Sequence, residues 1–490
     1  MHRPCPRLLL SALRGGAGKT TLTLGLLAAW RARGKSLVPF KKGPDYIDPA
    51  WHGLAAGSPS HNLDPFLMEG AQIMALVGRH AAQADALVIE GNRGLYDGLD
   101  AQGTFSTAEL AKLLATPVVL VLNCTMMTRT AAALVLGCQH FDPQVPLRGV
   151  ILNQVARPRH EAILRNAIEH YCGVPVLGAV PRLKCAVFPE RHMGLVPPPE
   201  HRGVQRAIET ARDLAERYLD LDGLWQVACQ APPLPLSAVD EPSPETARDL
   251  VNIGVIRDSA FQFYYPENLE ALEAHGARLV WLSALTDPAL PDDLDGLYIG
   301  GGFPETHARD LARNRSFRMS VKAAAQQGLP VYAECGGLMY LGQAIATLQG
   351  ERFPMAGVFP FDFVMGRAPQ GHGYTILEVC APNPFFPAGV RLKGHEFHYS
   401  RIDPEPGPEA PMAFRVLRGA GIGGHRDGLL YQNVLATYSH LHALGAPDWA
   451  PSLVRQAEAY HRRRQAAAPP EPGGMERRTE GGGQRRAKIR

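Results

Sequence analysis

The stretch from Leu8 to Thr21 constrains the fold of this chain more than any other part of it. It consists of Leu-Leu-Leu-Ser-Ala-Leu-Arg-Gly-Gly-Ala-Gly-Lys-Thr-Thr, and the residues after it favour a helix. A buried strand, a glycine-rich loop and a helix in this order bind phosphate through backbone N–H groups, the helix dipole, a lysine and a magnesium-binding hydroxyl. The alternative is a glycine-rich turn without a ligand. We predict a nucleotide site formed by Gly15, Gly16, Gly18, Lys19, Thr20 and Thr21.

Acidic residues follow the next two strand-like segments. A predicted strand at 36–41 leads into a loop that contains Asp45 and Asp48, and a strand at 86–90 ends in Glu90, with Asp97 shortly after it. In open α/β sheets, ligands bind at the carboxyl ends of the strands. We therefore expect these carboxylates near the nucleotide, although a solvated loop rich in turns would have the same composition.

Apolar strands alternate with helical patterns along most of the chain. Strands predicted at 118–123, 149–153 and 175–180 are separated by helical segments, which favours a parallel, doubly wound sheet. A second α/β pattern starts near residue 252, after a Pro-rich stretch. The predicted fold class is α/β, with two doubly wound domains.

The length of 490 residues also exceeds what one hydrophobic core supports. Composition shifts predict a first domain, a Pro-rich linker, a second domain and a disordered basic tail, at residues 1–220, 221–248, 249–461 and 462–490.

A second centre of chemistry is predicted around Cys335. A strand feeds this cysteine, two glycines and then a helix, the arrangement of a nucleophile elbow, in which helix N–H groups lower the thiol pKa. Alternation along 436–442 places His440 and His442 on one face of a predicted strand, which makes His440 the candidate base. A buried structural cysteine with core histidines is the alternative. Gly301 and Gly302 are candidate oxyanion-hole donors, because they follow a predicted strand.

Composition excludes several classes of partner. The net charge is +3, and the segment from Arg462 onwards contributes nine Lys/Arg against three Glu, so the rest of the chain is slightly acidic. This argues against a nucleic-acid surface. No run approaches the 18 apolar residues of a membrane span, and the eight cysteines show neither metal-ligand spacing nor a disulfide framework. We expect a cytoplasmic protein without membrane contacts, and the sequence leaves its oligomeric state open, a homodimer included.

Taken together, these motifs resemble the cobyrinic acid a,c-diamide synthase family, and the resemblance runs from residue 8 to about residue 445. The stretches that carry it include Gly-Gly-Ala-Gly-Lys-Thr-Thr, Gly-Pro-Asp-Tyr-Ile-Asp-Pro, Ile-Glu-Gly, Gly-Leu-Tyr-Asp-Gly, Phe-Tyr-Tyr-Pro-Glu-Asn, Gly-Gly-Phe-Pro-Glu, Glu-Cys-Gly-Gly, Gly-His-Glu-Phe-His and Tyr-Ser-His-Leu-His. The family joins a P-loop, dethiobiotin-synthetase-type domain to a class I glutamine amidotransferase domain. It implies amidation of two carboxylates of a corrinoid, with ATP, Mg²⁺ and glutamine.

The resemblance, together with the chemistry of amide formation, suggests roles for the candidate residues. Cys335 would attack glutamine and His440 would move protons, with His442 as the orienting residue. Thr20, Asp45 and Glu90 are the expected metal ligands, and Asp48 and Asp97 the expected substrate contacts.

Departures from the family pattern lie near the acceptor. Leu13 occupies a position where the full phosphate-loop motif has glycine, while Arg14, Asn92 and Arg93 are unusual residues. They leave a sirohydrochlorin- or sirohaem-type tetrapyrrole open as the acceptor. An alternative from another class is a partitioning-type ATPase switch, whose phosphate loop resembles Arg14-Gly-Gly-Ala-Gly-Lys-Thr.

Overall fold

A computed structural model describes residues 5–183, 190–191, 194–201, 203–234 and 250–467. Among these residues, the two largest β-sheets, each packed against helices, organise the N-terminal and C-terminal domains. Within these ranges, no helix has the length and apolar character needed to cross a bilayer.

The described residues of the N-terminal domain form nine strands, eight α-helices and one 3₁₀ helix, Pro198–Glu200. In chain order its strands and α-helices are β1 (Arg7–Ala12), α1 (Lys19–Ala32), β2 (Leu37–Lys42), α2 (Ile47–Ala56), β3 (His61–Leu63), α3 (Gly70–Ala81), β4 (Ala86–Glu90), α4 (Thr107–Leu113), β5 (Val118–Asn123), α5 (Thr130–Phe141), β6 (Leu147–Val155), α6 (Pro158–Cys172), β7 (Val176–Pro181), β8 (Glu190–Arg191), β9 (Gly194–Leu195), α7 (Val204–Tyr218) and α8 (Leu221–Cys229).

Seven of these strands form one parallel sheet in the order β3-β2-β4-β1-β5-β6-β7. Its central strands are continuous apolar runs because both faces are covered: Leu9 packs into one core, while Leu8 and Leu10 pack into the other. β4 and β5 flank β1, and β2 lies beyond β4. The loops after β1, β2 and β4 therefore open at the same edge of the sheet, as predicted.

Over residues 250–467, the C-terminal domain contains sixteen strands and five helices. In chain order they are β10 (Val251–Ile256), β11 (Phe261–Phe263), α9 (Pro266–Ala274), β12 (Ala277–Leu282), β13 (Gly296–Ile299), β14 (Gly301–Gly302), α10 (Ala308–Arg313), α11 (Arg315–Gln326), β15 (Val331–Glu334), α12 (Gly336–Leu341), β16 (Ala344–Ala346), β17 (Arg352–Pro354), β18 (Asp362–Met365), β19 (Gly371–Val379), β20 (Arg391–His398), β21 (Ser400–Asp403), β22 (Met412–Arg418), β23 (Arg426–Tyr431), β24 (Val434–Thr437), β25 (His440–Leu441) and α13 (Trp449–Ala467).

A ten-stranded sheet, β12-β10-β13-β15-β24-β23-β22-β19-β20-β25, organises this domain. The first five strands are parallel, and the last five pair antiparallel. The α/β class with two domains is thus confirmed, while the antiparallel half was not predicted. β15 leads directly into Cys335, at the carboxyl end of the parallel part.

Two helices extend across predicted domain boundaries. The expected linker at 221–248 begins with α8, whose Leu221, Leu224 and Val227 are buried in the core beneath β1. In the other domain, α13 continues past residue 461 to Ala467. The remainder of the linker from 235, and the tail from 468, lie outside the described residues.

The predicted single strand over 436–442 is also wrong. The chain bends at Tyr438 and Ser439, between β24 and β25. The buried carboxylate of Asp427 accepts the backbone N–H groups of both residues, at 3.1 and 3.3 Å, and this replaces the pairing that a continuous strand would make.

Candidate active sites

The predicted phosphate loop follows β1 and has the backbone that a phosphate site needs. Gly16 and Gly18 have φ values of 69° and 92°, which favour glycine. A side chain at Gly18 would overlap Asn153. The Nδ2 of Asn153 donates a hydrogen bond of 2.8 Å to the carbonyl oxygen of Ala17. Around Gly15 and Gly16 a Cβ would meet no atom within 4 Å, so the loop leaves space for a ligand beside the start of α1.

Lys19 begins α1 and turns back toward the loop. Its Nζ donates to the carbonyl oxygens of Arg93, at 2.9 Å, and of Arg14, at 3.4 Å. Burial lowers the pKa of Lys19, with Glu90 acting in the opposite direction. Arg93 presents its carbonyl from a left-handed conformation, φ 48°, which costs energy in a non-glycine residue. Thr21 lies half-buried in the first turn of α1.

Three oxygen-bearing side chains converge beside this loop. Thr20 Oγ1 donates a hydrogen bond of 2.8 Å to Glu90 Oε1, and it lies 3.4 Å from Asp48 Oδ2. Lys41 Nζ bridges the two carboxylates, at 2.6 Å from Asp48 and 2.7 Å from Glu90. His52 Nε2 lies 2.7 Å from the other oxygen of Glu90. The sequence prediction did not assign a role to Lys41 or to His52.

The charge of Glu90 is stabilised by these neighbours. Burial opposes ionisation, but Lys41 and His52 outweigh it and hold the pKa of Glu90 below its usual range. Glu90 is therefore an anion at neutral pH. His52 could have been found in the sequence, because it lies four residues after Asp48 and therefore on the same face of α2.

Asp45 has a different environment from the one predicted. Its Oδ1 accepts the N–H groups of Ile47 and Asp48, at 2.9 and 3.2 Å, so that Asp45 caps the start of α2. Burial, reinforced by the charge of Asp48, raises the pKa of Asp45. The structure thus places Asp48, rather than Asp45, beside Thr20 and Glu90.

The donor set at this point fits a magnesium ion in its chemistry. Mg²⁺ binds through oxygen ligands, usually one or two carboxylates together with substrate phosphates and water. Thr20, Asp48 and Glu90 supply a hydroxyl and two carboxylates within hydrogen-bond distance of one another. In the described ranges, no three His, Cys, Asp or Glu side chains lie together in a group that could hold a metal ion.

In the C-terminal domain, Cys335 has the geometry of a nucleophile elbow. It lies between β15 and α12 with φ 47°, a conformation that non-glycine residues rarely adopt. Burial raises the pKa of its thiol, with help from Glu305, and the N–H of Gly336 only partly offsets this. The expected lowering of the pKa by the helix is therefore outweighed, so the thiol needs a base.

His440 is held by a carboxylate that the sequence analysis did not assign. Its Nδ1 lies 3.4 Å from Glu334 Oε2, and the other oxygen of Glu334 accepts the N–H of Leu441 at 3.0 Å. His442, the predicted orienting residue, instead contacts Glu267, with 3.4 Å between Nε2 and Oε2. Glu334, adjacent to the nucleophile, is thus the carboxylate beside His440.

The two predicted oxyanion glycines lie against this group. A side chain at Gly301 would overlap the ring of His440, so only glycine allows the ring to lie where it does. The N atom of Gly302 would be 2.9 Å from a Cβ at Gly336, in the first turn after Cys335. The role of these two glycines as oxyanion-hole donors stays a prediction.

A cavity of about 530 Å³ is lined by residues of both domains, and it reaches His440 on the side of the C-terminal domain. From the N-terminal domain it is lined by residues that include Asp45, Asn92, Arg93 and Asp97, and from the C-terminal domain by residues that include His395, Phe397, Arg418 and His440. The ring of His395 stacks on that of His440, with centroids 4.9 Å apart. Burial and the two neighbouring histidines lower the pKa of His395 far below its usual value, so that its ring is neutral.

Comparison with known proteins identifies both domains. Residues 8–196 match the model of the CobQ/CobB/MinD/ParA nucleotide binding domain, and residues 252–447 match that of the CobB/CobQ-like glutamine amidotransferase domain. The chain therefore has a nucleotide-binding domain and a glutamine amidotransferase domain.

Curated relatives match nearly the whole chain. The cobyrinate a,c-diamide synthase of Magnetococcus marinus is 45% identical over 92% of this chain and 97% of its own length. The proteins of that name from Archaeoglobus fulgidus and Dehalococcoides mccartyi are 43% and 39% identical, over 92% and 93% of this chain and 97% and 99% of their own lengths.

Proposed function

Because the chain belongs to the cobyrinate a,c-diamide synthase family, we propose that it amidates the a and c carboxylates of cobyrinic acid, or of metal-free hydrogenobyrinic acid, in cobalamin biosynthesis. The observation that supports this most directly is the cavity between the domains, which is lined by His440 and, from the N-terminal domain, by Asp45 and Asp97. Family membership also decides between the two classes left open by the sequence, in favour of a glutamine-dependent ligase rather than a partitioning ATPase.

The N-terminal domain would activate the acceptor carboxylate. A carboxylate oxygen attacks the γ-phosphorus of ATP, ADP leaves, and the product is an acyl phosphate. Lys19 and the loop N–H groups bind the phosphates. Lys41 neutralises Asp48 and Glu90. Mg²⁺, held by Thr20, Asp48 and Glu90, would supply neutralisation of the phosphate charge.

The C-terminal domain would supply the ammonia. His440 accepts the thiol proton, and Cys335 sulfur attacks the side-chain carbonyl carbon of glutamine. Backbone N–H groups near Gly302 and Gly336 would stabilise the oxyanion. The C–N bond breaks as the nitrogen takes a proton from His440, and water then cleaves the thioester to glutamate.

Ammonia would then cross the cavity and attack the carbonyl carbon of the acyl phosphate, with phosphate as leaving group. This path is supported by the lining, which runs from His440 to Asp45 and Arg93. A cytoplasmic location, a homodimer and the domain boundaries stay predictions.

In the test, the purified protein is incubated with ATP, Mg²⁺ and glutamine, together with cobyrinic acid, hydrogenobyrinic acid or sirohydrochlorin. The mass of each product is then measured. We expect two carboxylates to become amides on the corrinoid acceptors. Cys335→Ala should lose this activity with glutamine and regain it with high ammonium, since the N-terminal site is intact. Turnover of sirohydrochlorin alone would change the acceptor but keep the reaction, and turnover of none would overturn both.

A further inference from the structure

The cavity between the domains carries positive charge that the mechanism does not use. Its lining includes Lys42 and Arg93 from the N-terminal domain and Arg418, at the end of β22, from the C-terminal domain. Lys42 is buried, whereas Arg93 and Arg418 are exposed. Cations from both domains thus face one space.

In the described part of the chain, no side-chain hydrogen bond and no ion pair within 4 Å is made by Lys42, Arg93 or Arg418. Burial lowers the pKa of Lys42, and the charge of Arg93 adds to this while Asp64 opposes it. Buried or clustered like charges are costly unless a counter-ion binds, so the arrangement favours an anionic ligand.

The carboxylates of the cavity are already occupied by other groups. Glu396 accepts the N–H groups of Ala420 and Gly421, at 2.5 and 2.9 Å, and Asp97 Oδ2 accepts that of Gly94 at 2.8 Å. Asp45 caps α2. None of these contacts involves the cavity cations, which therefore remain available to a ligand.

The anion concerned is not the nucleotide phosphate. The loop glycines that form the phosphate site do not line this cavity, and Lys19 turns toward the loop. A volume of about 530 Å³ accommodates one edge of a tetrapyrrole rather than the entire ring. The remaining carboxylates of such an acceptor would lie at the opening, where the two exposed guanidinium groups are.

We propose that the acceptor site is shared between the domains, and that Arg418 of the amidotransferase domain binds a carboxylate of the acceptor together with Lys42 and Arg93. This inference rests on the proposed function and specifies which side chains determine acceptor binding. A guanidinium matches a carboxylate through two parallel hydrogen bonds, which an ammonium cannot make.

The experiment measures acceptor KM with ammonium as nitrogen source, so that glutamine hydrolysis does not contribute. Arg418→Ala should raise KM for cobyrinic acid about tenfold, the loss expected for a charged hydrogen bond. Its ATP KM and its glutaminase rate should equal those of the wild type. The acceptor KM of Arg418→Lys should lie between those of the wild type and Arg418→Ala, because lysine keeps the charge but cannot make the two parallel hydrogen bonds.

Arg415→Ala is the matched control, because Arg415 lies on the same strand, is also exposed, and pairs with Glu378 away from the cavity. It should leave acceptor KM unchanged. If the acceptor KM of Arg418→Ala stays within about twofold of the wild-type value while that of Arg93→Ala rises further, the proposal of a shared site is wrong and the proposed function stands. Wild-type protein that amidates no acceptor would overturn both.

Discussion

Glu334 Oε2 lies 3.4 Å from Nδ1 of His440, so the carboxylate beside the candidate base belongs to the residue immediately before the nucleophile. Tyr332 donates to Glu334 at 3.0 Å, as does the backbone of Leu441. These contacts fix the carboxylate from both strands that carry the site. Cys335, His440 and Glu334 are thus the candidate members of a Cys-His-Glu group, drawn from two adjacent residues and one distant histidine.

Replacement of this carboxylate should impair only the glutamine half of the reaction. Glu334→Gln keeps the size of the side chain but removes the negative charge beside Nδ1 of His440. We therefore expect glutaminase activity to fall about 10²-fold or more. Ammonium-supported amidation should be unchanged. The measurement is glutamate release and amide formation with each nitrogen source.

His442→Asn tests the orienting role first predicted for His442. Since His442 contacts Glu267 rather than His440, this variant should keep its glutaminase rate within a few-fold of the wild type. A large loss in a folded His442→Asn protein, with Glu334→Gln unaffected, would restore the sequence-based assignment.

The two aspartates after β2 should differ in their effects. Asp48→Asn removes a charge beside Thr20 and Lys41, and we expect about a 10²-fold loss of product with either nitrogen source. Asp45→Asn should retain most activity, because an asparagine oxygen also caps a helix. Initial rates with ammonium and melting temperatures check both. Equal losses would return Asp45 to the metal-binding role that the sequence predicted.

Features coded by consecutive residues could be predicted from the sequence. The phosphate loop at Gly15–Lys19 and the elbow at Cys335 are local patterns of glycine between a strand and a helix, and the structure has both where they were expected. The parallel sheet of the N-terminal domain follows from apolar strands that alternate with helices. In these cases, the chemistry of a few neighbouring residues determines the conformation.

Features that depend on pairing between distant segments could not be predicted in this way. The bend after β24 is caused by Asp427, and the ion pairs of Lys41 depend on the order of strands in the sheet. Arg418 reaches the cavity only because β22 lies in the antiparallel half, which no sequence pattern indicated. The contacts of Asp427, Lys41 and Arg418 therefore depend on the order of strands in the sheets, which the sequence patterns did not predict.

The contact between the domains should be sensitive to acid. Glu267 is buried between His61 Nδ1, at 2.7 Å, and His442 Nε2, at 3.4 Å. Burial opposes its charge, but the two histidines hold the pKa of Glu267 below its usual value. A lowered pKa in the folded state adds stability above the unfolded-state pKa, and this stability is lost as the pH falls.

Glu267→Gln should therefore be less stable than the wild type at pH ~7, by about 1–3 kcal/mol, and the difference should shrink below pH ~4. Urea unfolding at a series of pH values measures it. Glu273→Gln, an exposed position on the same helix, is the control and should change stability little. A difference that grows toward low pH would show that the charge of Glu267 is not the stabilising element.

Tyr46 lies between the two active sites and should limit the loss of ammonia. Its ring stacks on Phe263, with centroids 5.1 Å apart, and lies 4.6 Å from Tyr265 and 5.3 Å from His440. It belongs to the same segment as Asp45, which caps α2. The ring therefore fills the space where the segment after β2 meets the glutaminase residues.

Tyr46→Ala removes this ring and opens the contact, so we expect fewer amides formed per glutamine hydrolysed, together with a loss of about 1–3 kcal/mol in stability. Tyr46→Phe keeps the ring and should keep the ratio. The measurement compares amide and glutamate from the same reaction at saturating ATP and acceptor. If both variants keep the wild-type ratio of amide to glutamate, ammonia crosses the cavity without help from this ring. If the ratio falls equally in both variants, the effect belongs to the hydroxyl of Tyr46 rather than to its ring.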